Sequence, residues 1–227
     1  MTALVDLLRR VPFLAVLEPA DREALTQSVS RKRFRRGDII FQKEDPAQSL
    51  FIIEKGSVRI FFPGAQGADL TLAVLGPGDF FGDLSLLDGR PRSAGAAALA
   101  DTNLLILERS DFMALLLSRP EAATAVLARV AQRLRDTNET ASDLAFLDVA
   151  GRLAKKLLDL AAGNGVPRRD GILLDIPLTQ EELANMIGVT RESVNRNLSL
   201  FRRLGMIASE GRRLVLRDPA ALRRRCE

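Results

Sequence analysis

After Pro120 the chain runs to Gly151 without another glycine or proline, and Ala, Leu, Arg and Glu dominate the stretch. Nothing in it breaks a helix, so one long uninterrupted helix is expected. Leu127, Val130, Leu134, Thr137, Ala141 and Leu144 recur along it at spacings of 3, 4, 3, 4 and 3, an a/d seam over more than two heptads. A helix with one narrow apolar stripe usually zips to a partner helix, and the chain holds no second segment of this kind. The expected partner is the same helix of another subunit, with packing against its own domain as the plainer alternative. Thr137 interrupts the seam. A polar residue there either sets register at a cost in stability or, with Asn138, hydrogen-bonds a ligand held beside the seam.

Ahead of this helix the periodicity is different. Residues 1–30 have helical character, punctuated by Pro12-Phe13 and by Pro19, which opens a second short helix. From about Phe34 to Leu107, short apolar runs (39–41, 50–53, 58–62, 70–75 and 104–107) alternate with turns carrying Gly37, Gly56, Gly64, Gly67, Gly76, Gly78 and Gly89. Strands at this spacing with glycine at the corners predict a small antiparallel barrel or roll.

Within that region, residues 80–93 carry candidate binding chemistry. Gly82-Asp83-Leu84-Ser85 is suited to open a short helix with free backbone N–H groups. Ten residues on, Arg92 offers a charged fork and Ser93 a hydroxyl, both fitted to phosphate oxygens. Asp83 would repel a phosphate, so it must face another part of the ligand, such as a sugar hydroxyl. The alternative for the same residues is a glycine-rich turn between strands with solvated arginines.

The C-terminal part has a sharper local code. Thr179-Gln-Glu-Glu182 is a capping box. Leu183, Ala184, Met186 and Ile187 form the apolar face of the helix it starts, and Gly188 ends that helix. Thr190 can cap a second helix burying Val194, Leu198 and Phe201. Helix, glycine-containing turn, helix is the helix-turn-helix plan. The outward face of the second helix presents Arg191, Glu192, Asn195, Arg196, Ser199 and Arg202. Arg can pair with guanine O6 and N7, and Glu can accept from the cytosine amino group. Residues 207–216 read as a hairpin with Arg212 and Arg213 at its tip, a wing able to rest on phosphates. Charge agrees: residues 1–148 hold 18 basic and 20 acidic side chains, residues 149–227 hold 15 and 9. The basic excess lies in the part expected to meet a polyanion.

Composition narrows the chemistry. The chain has no His, Trp or Tyr and a single Cys, Cys226. An imidazole base, a His-ligated zinc, a proximal haem His, a cysteine-held iron–sulfur cluster and an internal disulfide are all excluded. No metal is expected and no catalytic constellation is evident, so the chain is read as a non-enzyme. The uncharged stretches are too short to span a bilayer and the N-terminus has the wrong order for a secretory signal, so no membrane partner and a cytoplasmic location are expected.

A cage, a long helix and a winged helix-turn-helix, in that order, resemble the Crp/Fnr family of bacterial transcription regulators over nearly the whole chain. Gly82-Asp83-Leu84 with Arg92-Ser93 is similar to the family's phosphate-binding cassette. Arg133–Asn138 with Leu144–Val149 resembles its central helix and hinge, and Ile187–Arg196 its recognition helix. The resemblance implies an α+β chain in three parts: a cyclic-nucleotide-binding β-roll at 1–118, a dimerisation helix and hinge at 119–148, and a winged helix-turn-helix at 149–227. It implies cyclic AMP as effector, held by Gly82, Asp83, Leu84, Arg92 and Ser93, with Thr137 on the adenine of its own subunit and Asn138 on that of the partner. Double-stranded DNA carrying a TGTGA-type palindrome would be contacted by Thr179, Thr190, Arg191, Glu192, Ser193, Arg196 and Arg212. A second copy of the chain is an implied partner, as is RNA polymerase if the protein activates. The family's cyclic-AMP binders usually carry Glu where this chain has Asp83, a difference of roughly 1.5 Å in reach. Regulation without a nucleotide or with another effector, and a cyclic-nucleotide-binding regulatory subunit of an enzyme, stay open as alternatives.

Overall fold

The structure is a computed structural model that describes residues 2–64, 69–175, 179–211 and 213–226. The chain forms two compact units, one of residues 1–63 and 72–135, the other of residues 64–71 and 136–227.

The first unit begins with three helices, α1 (Thr2–Leu8), α2 (Pro12–Ala15) and α3 (Pro19–Ser28), where the sequence pattern showed two segments. Pro12 and Pro19 each occupy a first helical turn, where the missing N–H costs nothing. Among the described residues eight strands follow: β1 (Val29–Phe34), β2 (Ile39–Phe41), β3 (Ser49–Lys55), β4 (Val58–Phe62), β5 (Leu70–Leu75), β6 (Phe80–Phe81), β7 (Gly95–Ala98) and β8 (Thr102–Glu108). They make two four-stranded sheets ordered β1-β8-β3-β6 and β2-β7-β4-β5, the expected roll. Its interior is filled from both sheets by Phe51, Ile53, Val58, Phe81, Ala96 and Leu104.

A second core lies on the other face of the β1-β8-β3-β6 sheet. There Phe13, Leu14, Ile52, Phe80, Leu86 and Leu105 pack against Phe112 of α5 (Arg109–Ser118) and Ala122 and Val126 of α6 (Pro120–Phe146). The helix α4 (Asp83–Asp88) lies between β6 and β7 in sequence and contributes Leu86 to this core. The long helix α6 therefore has two faces. Ala122 and Val126 are buried on their own domain, while Leu127, Leu134 and Leu144 of the seam stay 64%, 60% and 41% exposed. Val130, counted with the seam, leans partly onto the domain core.

In the second unit α6 ends at Phe146, and Asp148 caps α7 (Val149–Asn164) by accepting the Gly151 N–H at 2.7 Å. Lys155 of α7 meets Asp143 of α6 at 2.6 Å across this break, and the carboxylate raises the pKa of the ammonium. The hairpin β9 (Gly165–Arg168) and β10 (Gly171–Leu174) precedes α8 (Gln180–Ile187) and α9 (Arg191–Arg203). After these come β11 (Ile207–Glu210), β12 (Arg213–Leu216) and α10 (Pro219–Arg223). The four strands form one sheet ordered β11-β12-β10-β9. Leu153, Leu157, Leu174, Leu183, Ile187, Val194, Leu198, Phe201 and Leu216 fill one core between this sheet and the helices.

Both halves of the Thr179 capping box are present. Thr179 Oγ1 accepts the Glu182 N–H at 3.1 Å, and the Glu182 carboxylate accepts the Thr179 N–H at 2.8 Å. Thr179→Ala is expected to cost about 1 kcal/mol, read as a lower thermal midpoint for this unit.

Candidate ligand cage and nucleic-acid interface

Arg92 is placed by its backbone before its side chain matters. Its N–H donates to Asp45 O at 2.9 Å and its carbonyl accepts from Glu44 N at 2.8 Å, fastening the segment leading into β7 onto the loop after β2. The side chain then turns inward and is only 4% exposed. One terminal nitrogen donates to Gly82 O at 2.8 Å and the other to Ser49 O at 2.7 Å. The guanidinium carbon lies 4.3 Å from the Phe41 ring centroid and 5.5 Å from that of Phe51. Phe41, Phe51 and Phe81 make an aromatic floor with centroids 5.2–5.9 Å apart. Burial pushes the pKa of Arg92 down and the carboxylates of Asp45 and Asp83 pull it back up. An arginine stays charged through such a shift.

Gly82 sits where only glycine fits without strain. Its φ is 84°, and a Cβ there would lie 2.5 Å from the nearer terminal nitrogen of Arg92. Asp83 follows at the first position of α4 and is 1% exposed. Its Oδ1 meets Arg133 of α6 at 2.6 Å. Arg133 also donates to Phe80 O and lies 5.2 Å over the Phe80 ring. The pairing balances the Asp83 charge close to the buried Arg92.

Two polar atoms of this cluster have no hydrogen-bonding partner among the described residues although both are buried: Asp83 Oδ2, an acceptor, and Arg92 Nε, a donor. Leaving such groups unsatisfied costs about 1–3 kcal/mol each.

Gly82, Asp83 and Arg92 are thus brought together, with Leu84 and Ser93 exposed beside them. Thr137 and Asn138 are exposed on α6, the first of them one turn beyond Arg133. Sequence reasoning quoted Arg133 only as part of a motif and gave it no role, and it missed Ser49 and the aromatic floor. The Phe content of 39–53 was visible, but nothing local ties those rings to an arginine fifty residues away.

The second cluster lies on α9. Thr190 caps this helix by accepting the Ser193 N–H at 3.3 Å, and Gly188 (φ 66°) ends α8 in the left-handed region. Val194, Leu198 and Phe201 are buried, which leaves Arg191, Glu192, Asn195, Arg196, Ser199 and Arg202 exposed along one face. Glu192 accepts from its own backbone N–H and from the Thr190 hydroxyl, and Arg191 lies nearby. Together these hold its carboxyl below the usual range, so it is an ionised acceptor. Arg202 donates to Ser209 of β11 at 2.9 Å, tying the helix to the wing. Arg213 of β12 pairs with Asp175 at 3.0 Å. Arg212, the other wing-tip arginine, lies outside the described residues. Among the described residues no group of three or more Cys, Asp or Glu side chains gathers as metal ligands, and no helix is long and apolar enough to cross a membrane.

A roll enclosing a buried arginine, a long helix with an uncovered seam, and a helix-turn-helix with a wing define a DNA-binding regulator with a nucleotide-binding type of sensor domain. Comparison with known proteins agrees. Residues 31–119 match the cyclic nucleotide-binding domain and residues 151–225 the Crp-like helix-turn-helix domain. The chain is 35% identical to the CRP-like cAMP-activated global transcriptional regulator of Mycobacterium tuberculosis over 220 residues, 97% of this chain and 98% of that protein. It is 32% identical to the cAMP-activated global transcriptional regulator CRP of Escherichia coli, over 78% of this chain and 84% of that one. A solved structure of the c-di-GMP-responsive global regulator of Xanthomonas campestris superposes with a TM-score of 0.78 at 26% identity, covering 88% of this chain and 99% of the other. The chain belongs to the Crp/Fnr family of transcription regulators.

Proposed function

We propose that this protein is a homodimeric transcription regulator of the cytoplasm, gated by cyclic AMP and reading a TGTGA-type palindrome. The carrying observation is the pair of unsatisfied buried atoms in the cage. A cyclic nucleotide supplies the complement of each: a phosphate oxygen for Arg92 Nε and a ribose hydroxyl for Asp83 Oδ2. Asp83 can accept that hydroxyl through Oδ2 while Oδ1 keeps Arg133, which answers the repulsion its charge would otherwise cause. Ser93 adds a hydroxyl to the phosphate side, with Gly82 and Leu84 at the start of α4. Thr137 and Asn138 meet the base along the dimer seam, where Leu127, Leu134 and Leu144 find their partners.

Binding then favours one placement of the helix ends at Phe146–Asp148, and with it one spacing of the two α9 helices. A ligand shifts such an equilibrium only by its difference in affinity for the two states, several kcal/mol for a full switch. Two-fold symmetry calls for half-sites about one helical turn apart. Arg191, Glu192 and Arg196 read bases, while Thr179, Thr190, Ser193 and Arg212 hold the backbone. RNA polymerase is the further partner if the protein activates.

The c-di-GMP response of the Xanthomonas relative, with a carboxylate here shorter than the family's usual Glu, favours cyclic di-GMP as the second reading. Calorimetric titration with cyclic AMP, cyclic GMP and cyclic di-GMP separates the two. Heat from cyclic AMP alone supports the first, and heat from none of them leaves a regulator without nucleotide control. A gel shift on the palindrome tests DNA reading separately. Arg191→Ala is expected to cost about 1–3 kcal/mol at a single guanine position. A loss spread evenly over all sequences in a half-site competition series would make Arg191 a phosphate contact instead.

A further inference from the structure

Arg133 is one of two arginines that α6 sends to the rim of the cage. One turn earlier, Arg129 reaches Asp79, with Nη2 3.0 Å from Oδ1. Asp79 and Asp83 are themselves four residues apart, so two ion pairs run side by side between one turn of α6 and the segment 79–83. Their settings differ. Asp79 is locked in place: its N–H donates to Gly76 O at 3.0 Å, its Oδ2 accepts from Gly76 N at 3.0 Å, and its carbonyl accepts from Ile53 N at 3.0 Å. Gly78, left-handed at φ 90°, donates to Ile53 O at 2.9 Å and closes the same turn onto β3. Asp83, by contrast, carries an unpartnered buried oxygen and belongs to the cage itself.

We propose that the Arg129–Asp79 pair is a fixed pivot for α6 at the cage rim, and that Arg129 is a positioning residue for the nucleotide response. The inference rests on the ligand reading given above. A ligand on Asp83 and Arg92 alters the setting of the Arg133 pair one turn further along the helix. The Arg129 pair, outside the cage and anchored on a closed turn, does not change. With one end held, a change at the other becomes a directed displacement of the helix rather than a loose shift of the whole element. As a stabilising interaction the pair counts for little, since both side chains are about one-third exposed. Its role is geometric.

The test is Arg129→Ala, with Arg129→Lys as the conservative variant, because Asp79 also holds its own turn. Cyclic AMP binding is measured by calorimetry, and DNA affinity by fluorescence anisotropy with and without cyclic AMP. The expected result is a nucleotide Kd within threefold of wild type, a stimulation of DNA binding reduced about fivefold, and partial recovery in Arg129→Lys. Unchanged stimulation overturns the pivot. So does a loss of nucleotide binding as large as the loss of stimulation, which would put Arg129 in the cage. If the wild-type protein binds no cyclic AMP, the effector reading fails, and hydrogen–deuterium exchange decides the pivot without any nucleotide. Faster exchange through residues 126–136 in Arg129→Ala then sustains it, and unchanged exchange overturns it.

Discussion

Arg92→Ala is expected to abolish the proposed nucleotide response while the proposed dimer persists and the DNA-reading unit stays folded. The guanidinium is the only buried cation within the roll's interior cluster among the described residues, it rests on Phe41 and Phe51, and both terminal nitrogens are engaged on backbone carbonyls. A phosphate entering here meets a donor already oriented, so little conformational entropy is lost on binding. Removing a buried charged partner of this kind costs about 2–5 kcal/mol of binding free energy. At 1.4 kcal/mol per factor of ten, that is a loss of about thirtyfold to several thousandfold in affinity.

The substitution also removes the hydrogen bonds that Arg92 donates to the carbonyls of Gly82 and Ser49, so some loss of stability in the first unit accompanies it. Arg92→Lys separates the two effects, since it keeps a positive charge but not the planar fork. It should recover folding better than nucleotide affinity. Calorimetry reads affinity, sedimentation reads the dimer, and anisotropy on the palindrome reads DNA binding with and without nucleotide. A response equal to wild type in Arg92→Ala would remove the cage assignment altogether.

Where sequence reasoning succeeded, short-range chemistry decided the structure. Thr179, Glu182, Gly188 and Thr190 act within four residues of themselves, so α8, the turn and α9 could be read from caps and from one glycine. Strands β2, β3, β4, β5 and β8 announced themselves by apolar runs between glycines. Strand β1 did not: Val-Ser-Arg-Lys-Arg-Phe is exposed over most of its length, because it is an edge strand and edges carry charge to discourage further pairing. Strand β7, Gly-Ala-Ala-Ala, has neither branched nor aromatic residues, yet it is a central strand buried throughout. Small side chains are required there because the Phe61 ring lies directly against Gly95. The hairpin β9–β10 was likewise unannounced: its strands are only four residues long and the first contains a proline.

The cage shows the same division. Gly82, Asp83 and Arg92 lie within eleven residues and formed a recognisable cluster, whereas their supports come from afar: Ser49 is 43 residues from Arg92, and Arg133 is 50 residues from Asp83. No local pattern reports such pairings. The seam of α6 was legible as a period, but its other face, with Ala122 and Val126 in the domain core and Arg129 and Arg133 on the rim, was hidden among residues that looked like ordinary helix formers.

Asp83→Ala carries the second large expectation, because Asp83 divides its two oxygens between a protein partner and the proposed ligand. The hydrogen bond from a ribose hydroxyl to a carboxylate is worth about 1.5–3 kcal/mol, so cyclic AMP should bind roughly ten- to a hundredfold more weakly to the variant. Loss of the Asp83–Arg133 ion pair beside the Phe80 ring adds to this. Two measurements divide these contributions. The 2′-deoxy analogue of cyclic AMP removes only the hydroxyl: wild type should lose affinity for it by the hydrogen-bond factor, and Asp83→Ala should bind both nucleotides equally. A double-mutant cycle with Arg133→Ala isolates the ion pair, which should couple to Asp83 in the stimulation of DNA binding as well as in nucleotide affinity. If wild type binds the deoxy analogue as tightly as cyclic AMP, Asp83 Oδ2 does not face a ribose. The shorter carboxylate would then serve a different ligand, and cyclic di-GMP becomes the effector to titrate against the same variants.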